Sequence, residues 1–173
     1  MPAVSSLLAR VCLWCCVLLY TSVVVYARCP ITPDSNGHVD IPSNWTKIPD
    51  DSFKECTALK TVSIGDSVTT IGHWSFSRCS SLTSVFMSDS VTYISKNAFR
   101  DCKELSYVQL SESLIAIGSD AFKNDIRLAS ITFPDSLMYI GTEAFSRCSS
   151  LKSVTIPISL KTVSKVHSHT ALA

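Results

Sequence analysis

The chain is short of charge. Only 17% of its 173 residues are Asp, Glu, Lys or Arg. Lys and Arg number 15, Asp and Glu 14, and Arg10 lies in a leader without acids, so the remainder holds 14 of each sign and is formally neutral. That balance leaves no basic stripe for nucleic acid and nothing to hold an anionic membrane surface. The local signatures of catalysis are missing too. There is no Gly-x-Ser-x-Gly elbow, no His-Glu-x-x-His pair and no Walker-type phosphate loop. Neither an enzyme nor a cofactor is expected. Beyond the leader there is no second apolar run long enough for a bilayer span, and no C-terminal hydrophobic tail of the kind a lipid-anchor signal needs.

Residues 1–27 differ from the rest. Arg10 precedes an uncharged run from Val11 to Ala27, and Val25-Tyr26-Ala27 offers a signal peptidase site before Arg28. This predicts a cleaved secretory signal and a secreted or cell-surface product. The competing reading is an uncleaved anchor that tethers the protein to a membrane, because the run sits at the lower limit for a span. Cys12, Cys15 and Cys16 are read as cysteines tolerated in an apolar run; palmitoylation of a retained anchor is the alternative.

What is present is a repeat. From Leu59 to Ser150 the sequence divides into four blocks of 23 residues without insertion, each beginning with Leu59, Leu82, Leu105 or Leu128. Such a period marks a solenoid. Asn36–Ala58 fits the same register as a degenerate first rung, with Val39, Ile41, Trp45, Ile48, Phe53 and Cys56 at the apolar positions. Leu151 opens a partial last rung carrying Val154, Ile156, Leu160, Val163 and Val166. The organisation is therefore a lead-in over 28–35, a solenoid over 36–166 and a polar tail over 167–173. With 46% apolar residues, the chain can fill a continuous core.

Within a rung, Val62-x-Ile64 alternates as a half-buried strand does, so Ser63 points outward. The Val68-x-x-Ile71 spacing suits a second extended segment or tight turn. Gly72, Gly118 and Gly141 follow it where a positive φ is expected, with Ser95 and Ser164 in the other rungs. A turn or a single helical turn is expected around Ala98-Phe99. No rung can shield its own apolar row, so Phe76, Phe99, Phe122 and Phe145 are expected to stack as one column.

These positions resemble the BspA-type leucine-rich repeat, and Ile131–Cys148 is a close copy of its pattern. The resemblance implies a mainly β, right-handed, curved solenoid of parallel strands, with about five rungs, a partial sixth, and short turns between strands. It also implies a surface or secreted protein that binds a protein partner, as adhesins do with host matrix or cells. In this family the repeat's Cys is a packing residue, which favours reading Cys56, Cys79, Cys102 and Cys148 as buried thiols over metal ligands or disulfides between successive rungs, whose spacing would permit a bridge. Asp125 departs from the pattern, and is expected to face water or to meet Arg127 or a backbone N–H.

The expected contact surface is the concave face. One outward column is Asp40, Ser63, Phe86, Gln109, Thr132 and Thr155; the next is His38, Thr61, Ser84, Tyr107, Ser130 and Ser153. Phe86 and Tyr107 fall on adjacent rungs and would anchor a partner. Isolated exposed aromatics are also common and need no function. From Cys29 onward five cysteines remain, so one at least is unpaired in a monomer; Cys29 with Cys56 is the expected bridge sealing the first rung. Asn44-Trp45-Thr46 is a glycosylation sequon. His73 is read as a surface residue, and His167-Ser168-His169 as frayed tail. The apolar last rung allows a second role, assembly with another chain through that end.

Overall fold

A computed structural model describes residues 29–163. The leader, Val166, the histidines of the tail and Ser164 lie outside the described residues. Among the described residues, ten short strands form two parallel sheets, alternating between them as far as β8. The first sheet holds β1 (His38–Asp40), β3 (Thr61–Ile64), β5 (Ser84–Met87) and β7 (Tyr107–Gln109) in that order. The second runs β2 (Lys47–Ile48), β4 (Thr70–Ile71), β6 (Tyr93–Ile94), β8 (Ala116–Ile117), β9 (Tyr139–Ile140) and β10 (Thr162–Val163). Partners lie one repeat apart throughout, as in Val62↔Val85 and Ile71↔Ile94. The chain is a parallel β-solenoid, as its period predicts.

Alternation fixes which way each strand faces. In β5, Val85 and Met87 are buried while Phe86 is exposed. The rings of Phe53, Phe76, Phe99, Phe122 and Phe145 form a single file, with neighbouring centroids 5.0–5.2 Å apart and planes within 8° of parallel. Trp45 tilts against the first of them at 6.2 Å. Cys29 and Cys56 form a disulfide. With Ile31, Cys29 packs against the core at the first rung.

At Ala98-Phe99 the expected turn is present, and the helical-turn alternative is corrected. Alternate amides leave the rung: Asn97, Phe99 and Asp101 donate to Ser119, Ala121 and Lys123 of the next rung, while Ala98, Arg100 and Cys102 close turns onto Ser95, Asn97 and Phe99. A helix would keep every amide in the local chain. Positive φ at Asn97 (60°) and Asp101 (64°) reverses the chain on each side.

The glycines are also corrected. Gly72, Gly118 and Gly141 are absent from the positive-φ set, whose one glycine is Gly37 at 82°. They are needed for close approach. A Cβ on Gly72 would lie 2.5 Å from the Ile48 carbonyl oxygen, and one on Gly118 2.6 Å from the Lys96 amide nitrogen.

The first sheet ends at β7, although the repeat predicts a strand in rung five. Residues 128–133 keep Ile131 and Phe133 buried but form no ladder with β7. Rung five differs from its neighbours at two places here. Ser88 donates its amide to Ile64, whereas Pro134, its equivalent, has no N–H. Phe133 replaces a smaller aliphatic side chain and its ring meets Phe145 at 5.5 Å. The second sheet continues without this break through β8, β9 and β10.

Candidate functional site

The outward face of the first sheet brings the expected residues together in rows. Asp40, Ser63, Phe86 and Gln109 are partners in register, and so are His38, Thr61, Ser84 and Tyr107. Phe86 and Tyr107 are 39% and 50% exposed, with ring centroids 5.7 Å apart and planes tilted by 48°. That is a favoured geometry for an aromatic pair, and it leaves apolar surface open to solvent. Thr132 and Thr155 are exposed but lie past the end of the ladder, so only a backbone without regular pairing positions them.

At the N-terminal end the face becomes polar and ordered. Asp34 accepts the amides of Asn36 and His38 at 2.8 Å each, which holds its carboxyl below the usual range, the His38 amide contributing most. His38 Nδ1 then lies 2.6 Å from Thr61 Oγ1, and its Nε2 lies 3.1 Å from Asp40 Oδ1 and 3.3 Å from Ser63 Oγ. Adjacent main-chain groups are engaged between rungs: Lys60 and Thr61 donate to Gly37, and Ile41 donates to Ser63. The cluster therefore clamps β1 to β3 and fixes the polar border of the aromatic pair.

From Thr61 to Thr155, none of the outward positions on this face carries charge. Charge depletion around aromatic anchors is the composition of an interface centre. Asn44 of the sequon is exposed, in a turn before β2 closed by the Trp45 amide onto Pro42.

A second apolar row escaped the sequence reading. On the outward side of the second sheet, Tyr93, Ile115, Met138 and Tyr139 are 36–46% exposed. The signal was present. Where rung two has Thr69-Thr70, rung three has Thr92-Tyr93, rung four Ile115-Ala116 and rung five Met138-Tyr139. The stretch, read as a second extended segment or a tight turn, is too short for alternation to assign an outward face.

The remaining candidates are structural. Cys79, Cys102 and Cys148 are buried free thiols. Burial pushes Cys79 and Cys148 up to about 12 and Cys102 well above the ordinary thiol range. Asp125 is fully buried, not turned to water, and it does not meet Arg127, which pairs instead with Glu104 at 2.6 Å. Its Oδ1 accepts the Cys102 amide at 2.8 Å. His73 is exposed, as expected. Trp74 beside it lies between two cations, 5.2 Å from Lys54 Nζ and 5.7 Å from the Arg100 guanidinium carbon.

Solved structures with this geometry are known. A leucine-rich repeat protein of T. pallidum is 31% identical with a TM-score of 0.68 over 70% of this chain and 59% of its own. One from Eubacterium ventriosum is 34% identical with a TM-score of 0.63, covering 71% of this chain and 32% of its own. One from Bacteroides ovatus is 29% identical with a TM-score of 0.52, covering 71% and 38%. This chain thus spans under two thirds of the length of each. No curated protein is similar enough in sequence to be matched. The profile of the BspA type leucine rich repeat region matches residues 34–152 and 116–167, in six copies, and the chain belongs to that family.

Proposed function

We propose that the protein is secreted or displayed at the cell surface, where it binds another protein through the outward face of its first sheet. The observation that carries this is the exposed Phe86–Tyr107 pair on an uncharged, hydroxyl-rich surface. Large aromatics held by strands lose little entropy on binding, and an uncharged surround dries without a large desolvation penalty. The rigid stack supplies shape, and the His38–Asp40–Ser63 border supplies polar contacts. No bond is made or broken in this reading, and host matrix proteins are the partners to try first. The test compares wild type with a Phe86→Ala, Tyr107→Ala variant on purified matrix proteins immobilised on a sensor surface. The expected result is at least a tenfold loss of affinity with unchanged melting. Equal binding by both proteins would reject the face.

A second reading is assembly through the last rung. Ile156, Ile158 and Val163 are exposed there, at 51%, 103% and 50%. Glutamates at Leu160 and Val163 would then abolish self-association in light scattering while leaving matrix binding intact.

A further inference from the structure

Position 125 interrupts a column otherwise built from cysteines. Cys79, Cys102 and Cys148 each direct Sγ to the carbonyl of the phenylalanine 26 residues earlier, Phe53, Phe76 and Phe122, at 3.0–3.1 Å. Asp125 holds the equivalent place in rung four, where the same offset falls on Phe99. Its side chain is completely buried. Oδ1 accepts the Cys102 amide, and Oδ2 has no hydrogen-bond partner. The titratable groups facing it are Asp101 and the thiols of Cys102 and Cys148. The two cations nearest in sequence are engaged elsewhere, Arg127 with Glu104 and Lys123 with Asp120 and Glu143.

We propose that Asp125 is a neutral carboxylic acid in the folded protein, that its Oδ2–H donates to the Phe99 carbonyl in place of the missing thiol, and that its ionisation loosens the junction of rungs three and four. An ionised carboxylate has no proton to give that carbonyl and would be buried beside another acid. Burial pushes the group well above the usual carboxylate range, the Cys102 amide opposes this in part, and Asp101 adds to it. That junction is otherwise held by the β5–β7 and β6–β8 pairs and by turn bonds such as Phe99 N–H to Ala121 and Asp101 N–H to Lys123.

A carboxyl raised on folding takes up a proton as the chain folds. The stabilisation by the neutral form is complete below the unfolded aspartate range and is lost as pH rises toward the folded value. In that window the folding constant falls by about tenfold per pH unit. Asp125→Asn tests this, because an amide can accept from Cys102 and donate to Phe99 but cannot ionise. Denaturant midpoints of the full chain would be measured from pH 5 to pH 8 for wild type, Asp125→Asn and Asp125→Cys. The wild-type folding constant should fall relative to both variants by about tenfold per unit above the unfolded aspartate range, until the folded carboxyl ionises. At pH 8, exchange of the Phe99 and Asp101 amides, which donate to Ala121 and Lys123, should be faster in wild type than in Asp125→Asn. Parallel pH profiles, or an Asp125→Asn variant less stable than wild type at pH 8, would overturn the proposal. The Asp125 Cγ resonance gives a readout on unmodified protein: the protonated-acid position at pH 6 supports the proposal and the carboxylate position rejects it.

Discussion

Phe99 sits mid-file, fully buried, with a ring stacked on each side at 5.2 Å. Removing it takes away apolar area and also opens a void that neighbouring rungs cannot close without breaking their own pairing. Phe99→Ala should destabilise the fold by about 3–5 kcal/mol in denaturant titration. Phe86→Ala, on the exposed side of β5, should stay within about 0.5 kcal/mol of wild type. If the two changes matched, the inward and outward assignment of that rung would be wrong. The thiols give an independent residue-scale test. Their buried sulfurs, with ionisation pushed up to about 12 at Cys79 and Cys148, should resist alkylation at pH 8 in the folded protein. Peptide mapping should show Cys79, Cys102 and Cys148 labelled after denaturation alone, and Cys29 and Cys56 only after reduction as well.

At the scale of the element, the rung turn depends on close backbone approach. Gly118→Ala would place a methyl against the Lys96 amide and the Ser95 carbonyl carbon of the rung before, at 2.6 and 2.7 Å. Backbone cannot rotate away as a side chain can, so a loss of about 1–3 kcal/mol is expected, read as a lower melting temperature. The equal spacing of Phe76, Phe99, Phe122 and Phe145 made the column legible before any coordinates, because a strict period leaves one stacking register. The reason for the glycines was not legible. A sequence shows that a side chain is absent but not what occupies its place, and a positive φ is the commoner cause. The lapse at rung five was not legible, because neither Pro134 nor Phe133 breaks the apolar pattern. The second sheet was legible only as an extended segment or a tight turn, because segments of two residues are too short for alternation to show. At the candidate site the outward columns followed from period two. The Tyr93–Met138 row did not, since its segment is too short for alternation to assign an outward face.

For the whole molecule, each rung covers the apolar row of its neighbour, and a surface is left free on the outside of both sheets. Stability and binding should therefore separate: core changes such as Phe99→Ala lower melting, whereas Phe86→Ala with Tyr107→Ala lowers affinity alone. The central claim is that successive rungs stack in strict order. Nuclear Overhauser contacts between selectively labelled phenylalanine rings measure this most directly. The account predicts contacts from Phe53 to Phe76, Phe76 to Phe99, Phe99 to Phe122 and Phe122 to Phe145, and none that skip a rung. Missing sequential contacts, or a contact such as Phe76 to Phe145, would contradict it.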